Sequence, residues 1–428
     1  VQAHIQLLLT GDELMSGDTV DSNSALIARH LGPLGLAPER RVTLGDRPQQ
    51  LREELAGLCA VADAVIVNGG LGPTLDDLTA QIVAEVAGVP LAEHPEALEH
   101  LHSWCGRRGL PLNEANRKQA LLPAGCSLLA NPVGSAPGFC LEIGDCLVLC
   151  TPGVPSELRA MLEAMTIRIE EKIPAPMRRQ VLRLQTFGIG ESSAQQLIRD
   201  HCPAWPESVA LSFRAGAPQL EIKLSVDDPA RLPERDECRR RLEDLFGDHI
   251  IGEGDARLAE SVIDLAREAG VRISCAESCT GGAIAAMLTQ IAGASDVFPG
   301  GLVTYSNELK AQLLGVSERT LREEGAVSEA TVREMVQGTL RVTGADLAVA
   351  VSGVAGPGGG SAEKPVGLVW LAWGDTQRIE TSCLHWPVER TLFQTMVAAA
   401  GLDMLRRRLL GIQGLPRYFE QRRWRGQG

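Results

Sequence analysis

The chain opens on an apolar run, I-Q-L-L-L-T-G, that is too short for a helix and stops at glycine. This pattern predicts a buried strand, not a signal peptide, which would need a basic start and a small-residue cleavage site. From Ser22 to Leu34 the apolar positions take a helical period. A second apolar run, Ala64 to Asn68, ends in G-G-L-G-P-T and leads to a helix expected to start near Asp76. C-L-V-L-C-T-P-G-V-P repeats the theme. Short apolar runs that end in glycine turns before helices predict a parallel α/β sheet over 1–165.

The pattern changes over 166–252. K-I-P-A-P-M-R-R interrupts it like a linker. Strand Gln180 to Thr186, helix Ser192 to His201, strands Ser208 to Arg214 and Gln219 to Val226, and helix Leu232 to Phe246 follow. That β-α-β-β-α order is a small α+β module and resembles a KH-type fold. A nucleic-acid-binding KH domain needs a G-x-x-G loop, whereas this turn reads G-I-G-E. A spacer or dimerisation module, in a homodimer, is the expectation. Residues 253–412 return to α/β: helix Arg257 to Ala269, strands around V-R-I-S-C-A, L-V-T-Y, L-A-V-A-V-S-G and V-G-L-V-W-L-A-W, and a long helix Thr391 to Leu410. The basic residues of 413–428, Arg417 to Arg425, read as a solvated tail.

Composition narrows the partners. A chain of 428 residues accommodates two or three domains. A formal net charge of -13 argues against bulk electrostatic binding of nucleic acid. No apolar run reaches the roughly 18 residues of a membrane span. The 11 cysteines include no C-x-x-C pair and no zinc spacing, so buried reduced thiols and a cytoplasmic location are expected.

Three stretches of the last third carry candidate chemistry. A-E-S-C-T-G-G (276–282) joins a strand to a helix; Gly281 and Gly282 admit close backbone approach, and helix-terminal N–H groups favour an anion. A tight turn capped by Ser278 or Thr280 is the plainer alternative. G-A-S-D-V-F-P-G-G-L-V-T-Y-S-N-E-L-K (293–310) holds Ser295, Tyr305 and Lys310. No histidine lies in these motifs, so the available base for a serine is a lysine with a lowered pKa. S-G-V-A-G-P-G-G-G-S-A-E-K-P-V-G (352–367) is a long glycine-rich loop between apolar strands, the mark of a ligand loop.

These motifs, with G-A-V-S-E, resemble in order and spacing the C-terminal domain of the competence/damage-inducible protein A (CinA) family over about 255–410. The resemblance implies an α/β amidohydrolase that cleaves nicotinamide mononucleotide with a Ser/Lys dyad. Carried over, Ser295 is the nucleophile and Lys310 the base, Tyr305 assists, and Ser278 is a second hydroxyl. Thr280, Gly281, Gly282, Gly353, Gly356 and Arg390 would bind substrate. Arg390 stands in V-E-R where the family has G-D-R.

T-G-D-E-L-M-S-G-D-T-V-D-S-N-S (10–24), N-G-G-L-G-P-T-L-D-D-L-T (68–79), N-P-V-G-S-A-P-G-F (131–139) and T-P-G-V-P-S-E-L (151–158) can gather at one sheet edge. Asp12, Glu13, Asp76 and Asp77 offer oxygen ligands to a hard divalent metal; Asp76 and Asp77 could instead be helix N-terminal carboxylates, which accounts for one of them more easily than for two. These motifs resemble the same family's N-terminal, molybdopterin-binding-like three-layer α/β domain, which implies a metal-dependent ADP-ribose pyrophosphatase. The expected partners are small nucleotides. The competing reading is a non-catalytic pterin- or nucleotide-binding protein, or one related to molybdenum-cofactor assembly.

Overall fold

The computed structural model describes residues 3–174 and 178–424. Residues 175–177 of the expected linker and Arg425 of the expected tail lie outside them. The chain divides into two compact units, 1–180 with 226–232, and 181–225 with 233–428.

The first unit is built on a six-stranded sheet of β1 (Ile5–Thr10), β2 (Arg40–Leu44), β3 (Ala64–Asn68), β6 (Ser127–Leu129), β7 (Gly138–Ile143) and β8 (Cys146–Thr151), ordered β2-β1-β3-β8-β7-β6. A two-stranded ribbon, β4 (Leu91–Glu93) with β5 (Leu121–Pro123), lies apart from it. Strands β2, β1, β3 and β8 are parallel; β7 and β6 continue antiparallel. The apolar runs serve both faces because successive side chains point opposite ways. Ile5, Leu7 and Leu9 pack with helices Asn23–Leu31 and Pro155–Lys172, while Leu8, Val65 and Val67 pack with helices Pro48–Cys59, Thr79–Ala87 and Pro95–Arg107. This is a three-layer α/β domain. The helix expected near Asp76 begins at Thr79, so Asp76 and Asp77 sit in the preceding loop and not on its first turn.

The second unit contains two sheets. The smaller is ordered β10-β11-β9-β12, from β9 (Gln180–Thr186), β10 (Ala210–Ala215), β11 (Leu220–Val226) and β12 (Ile250–Glu253). Its last strand, antiparallel to β9, extends the expected β-α-β-β-α order by one. The larger is ordered β14-β13-β15-β16-β17, from β13 (Ile273–Glu277), β14 (Gly301–Val303), β15 (Leu347–Gly353), β16 (Leu368–Gly374) and β17 (Ile379–His385). Strands β14, β13 and β15 run parallel, and β16 and β17 antiparallel. Helices Leu258–Ala269, Ala283–Thr289 and Arg390–Leu409 cover one face and Glu329–Thr343 the other.

The basic C-terminal segment is not a solvated tail. Arg417–Arg422 is a short helix whose Tyr418 and Phe419 are buried in the core of the second unit. Tyr418 donates to Asp403 Oδ2 at 2.9 Å, and its ring meets Phe187 edge-on at 5.2 Å. A Cβ at Gly188, which has φ +77°, would lie 2.3 Å from that ring. The G-I-G-E loop therefore seats the C-terminal helix. Aromatic residues among the arginines carried the signal that charge counting hid.

Candidate active sites

In the second unit, parallel register brings three loops together. Glu277 at the end of β13 pairs with Val303 of β14 and with Val351 of β15. The strands thus finish side by side, and the segments after them share the sheet's carboxyl edge, where such sheets bind ligands. These are the turn 278–282, Thr304–Tyr305 with helix Asn307–Leu314, and the loop 354–367. Ser306 caps that helix by accepting from Leu309 N–H at 3.2 Å. Lys310, one turn in, returns toward the strand ends.

Lys310 Nζ lies 3.0 Å from Ser278 Oγ and donates to the carbonyls of Thr304 (2.8 Å) and Tyr305 (3.2 Å). Only 1% of Lys310 is exposed. That burial disfavours the ammonium and holds its pKa below the ordinary 10.5, with the Cys279 thiol and Glu308 acting weakly the other way.

The serine beside the lysine is Ser278, not the expected Ser295. Ser295 is exposed on the 3-10 turn Ala294–Asp296, with no hydrogen bond to Lys310 among the described residues. Tyr305 holds the lysine through its carbonyl. Its side chain is exposed, and its hydroxyl accepts from Arg390 Nη2 at 3.2 Å. Arg390 Nη1 donates to Gly356 O at 2.7 Å, which ties the arginine to the glycine-rich loop. Gly356 has φ +76°, and a Cβ there would lie 2.5 Å from Val366; a Cβ at Gly353 would meet Leu368 O at 2.5 Å. Packing of the loop and sheet leaves no room for a side chain at either position.

The helix-terminal N–H groups expected to await an anion are already occupied. Glu277 accepts from Gly282, Ile284 and Ala285 N–H, and Gly281 N–H donates to Ser278 O. Thr280 Oγ1 is buried with no hydrogen-bond partner among the described residues. Glu277 stands within A-E-S-C-T-G-G but was not singled out, because nothing in the motif shows that its carboxylate folds back onto the turn.

In the first unit, the four glycine-bearing loops do surround a cleft of about 490 Å³. Glu13, Asp76 and Asp77 line it, as do Asp46 and Glu157, which the sequence did not single out. Asp12 is not among the lining residues: its Oδ1 accepts from Asp46 N–H at 3.1 Å, and Asp46 in turn accepts from Asp12 N–H and from Thr10 Oγ1. Asp77 Oδ2 accepts from Thr74 N–H (2.8 Å) and Thr74 Oγ1 (2.5 Å), closing the P-T-L-D-D turn. Asp76 is held below the ordinary carboxylate range, chiefly by the Thr74 hydroxyl. The four expected ligands do not converge: among the described residues no three His, Cys, Asp or Glu side chains are grouped to hold a metal.

All 11 cysteines are free thiols, and no described helix is long and apolar enough to cross a membrane. Residues 255–409 match a family model described as the CinA C-terminal domain, and 6–171 one described as a probable molybdopterin binding domain. A CinA-like protein of Colwellia psychrerythraea is 46% identical over 99% of both chains, and one of Geobacter sulfurreducens 40% identical over 95% of this chain and 99% of its own. A crystal structure of a competence/damage inducible protein from Agrobacterium tumefaciens, 45% identical, matches 35% of this chain and 91% of its own with a TM-score of 0.34.

Proposed function

The chain belongs to the CinA family, and from that premise we propose that its second unit hydrolyses the carboxamide of nicotinamide mononucleotide, with Ser278 as nucleophile and Lys310 as base. The 3.0 Å contact between these two side chains carries the proposal. Burial favours the neutral amine, and the three contacts accommodate it. A neutral lysine has two N–H donors and one lone pair, and here it meets two carbonyls and one hydroxyl. With the carbonyls taking the donors, the lone pair is left for the Ser278 proton.

Ser278 Oγ attacks the carboxamide carbon as its proton passes to Lys310 Nζ. The tetrahedral adduct collapses, the C–N bond breaks, and Lys310 returns the proton to the departing ammonia. Water, deprotonated by the same amine, cleaves the acyl-enzyme to give nicotinate mononucleotide and regenerate Ser278. With the helix terminus closed by Glu277, the substrate phosphate falls to Arg390, whose contacts with Gly356 and Tyr305 leave guanidinium donors over. Purified protein given nicotinamide mononucleotide should release ammonia and nicotinate mononucleotide. No ammonia from the wild-type chain would defeat the reading.

For the first unit we propose metal-dependent cleavage of ADP-ribose. The residues present fit a hard divalent ion that takes one or two carboxylates and completes its shell from water and substrate phosphate, since carboxylates line the cleft without a preformed cage. The one or two carboxylates that would hold it are drawn from Glu13, Asp46, Asp76 and Asp77. Bound there, it would neutralise diphosphate charge and acidify a water.

A further inference from the structure

Glu277 ends β13 and has no exposed surface. Its carboxylate turns back over the S-C-T-G-G turn. Oε2 accepts from Gly282 N–H (3.1 Å) and Ile284 N–H (3.0 Å), and Oε1 accepts from Ala285 N–H at 2.8 Å. The Cys275 thiol approaches Oε1 at 3.6 Å. The side chain closes a ring from 277 to 285, and Ser278 lies inside it. Its main chain is tied as firmly. The Glu277 carbonyl accepts from Thr304 N–H at 2.8 Å, and the carbonyls of Thr304 and Tyr305 hold the Lys310 amine. One residue therefore fixes the seat of the serine through its side chain and the seat of the lysine through its backbone.

We infer that Glu277 is a positioning residue for the Ser278–Lys310 pair, an inference that rests on the amidohydrolase reading above. A helix cap alone does not require this group. A neutral Ser or Thr side chain caps N-termini routinely, whereas a buried carboxylate must recover its lost hydration entirely from hydrogen bonds. Two oxygens serving three N–H groups recover it and join both ends of the turn, which a single hydroxyl cannot do. The carboxylate also stands where a substrate anion would otherwise bind, and like charges in a dry site repel strongly. This sends the substrate phosphate to the Arg390 side.

The test uses E277Q and E277D in the full chain. An amide of the same shape has one acceptor oxygen, and its NH2 must face N–H donors. Aspartate keeps both acceptors but is one methylene short. E277Q should fold, lose about 100-fold in kcat with little change in KM, and E277D should recover part of the loss. Lysine-ammonium NMR should show Lys310 titrating closer to its ordinary value in E277Q, as water reaches a loosened amine. Lower thermal stability with wild-type kcat and an unmoved Lys310 titration would overturn the inference and leave Glu277 a helix cap. Should neither variant fold, amide exchange in the wild-type protein decides: slow exchange at Gly282, Ile284 and Ala285 supports the inference, and exchange at loop rates overturns it. A wild-type chain without turnover would defeat the amidohydrolase reading, while the titration and exchange would still judge whether Glu277 sets the pair.

Discussion

Burial and reach act together in Lys310. The Ser306 cap starts its helix, the returning side chain is enclosed, and enclosure lowers its pKa. If the neutral amine is the base, turnover should rise with pH through that lowered pKa and level off above it. An acid limb in the pH–rate profile at or above the ordinary 10.5 would contradict this. The same shift affects folding. Between the lowered pKa and 10.5 the unfolded chain holds more protons at this residue than the native one, so its contribution to stability rises with pH across that window. Lys310→Met should lose on the order of 10²–10⁴-fold in kcat. Ser278→Ala should lose as much, and combining the two should add little, since the pair acts as a unit. Ser295→Ala, on its exposed turn, should retain turnover; loss there with an active Ser278→Ala would reverse the assignment.

Among the elements, the C-terminal helix Arg417–Arg422 departs furthest from expectation. Five charged or polar side chains surround Tyr418 and Phe419 in 416–423, and a reading by charge puts them in water. The core holds a place for both rings: Phe419 packs edge-on against Trp373 at 5.9 Å and Tyr418 at 5.0 Å. Phe419→Ala should lower the stability of the second unit by about 3–5 kcal/mol, read from its denaturation midpoint. Tyr418→Phe should cost about 1–3 kcal/mol by taking the donor from Asp403 Oδ2, while Oδ1 keeps Arg406. Gly188→Ala should destabilise as well, because its positive φ and the Tyr418 ring both exclude a Cβ. The regular elements were far more legible. Strands β1, β3, β13 and β15 were read from mostly apolar runs, because burial on both faces leaves few polar positions to confuse.

Across the whole molecule, the two units carry separate sets of candidate residues. Asp77→Ala and Glu13→Gln should each remove ADP-ribose turnover, as should excess chelator, while ammonia release from nicotinamide mononucleotide continues. An ADP-ribose activity indifferent to chelator would defeat the metal-dependent reading. A net charge of -13 and a G-I-G-E loop engaged with Tyr418 predict no submicromolar complex with RNA or DNA at physiological salt. A salt-dependent complex mapping to 170–250 would contradict this.

By itself the sequence determined the α/β architecture and the family, and it singled out the glycine loops and Lys310 as candidates, because apolar runs, glycine turns and spaced motifs are local features. Which serine meets that lysine was decided only in three dimensions. Ser295 is nearer to Lys310 along the chain than Ser278, yet the parallel register of β13 with β14 sets residue 278 beside the strand end from which Lys310 returns. Asp46 and the seat for Tyr418 arise in the same way, each as a contact between distant turns whose partners no single stretch of sequence contains. The Glu277 side chain bonds within 277–285, but only the folded turn shows which N–H groups it meets.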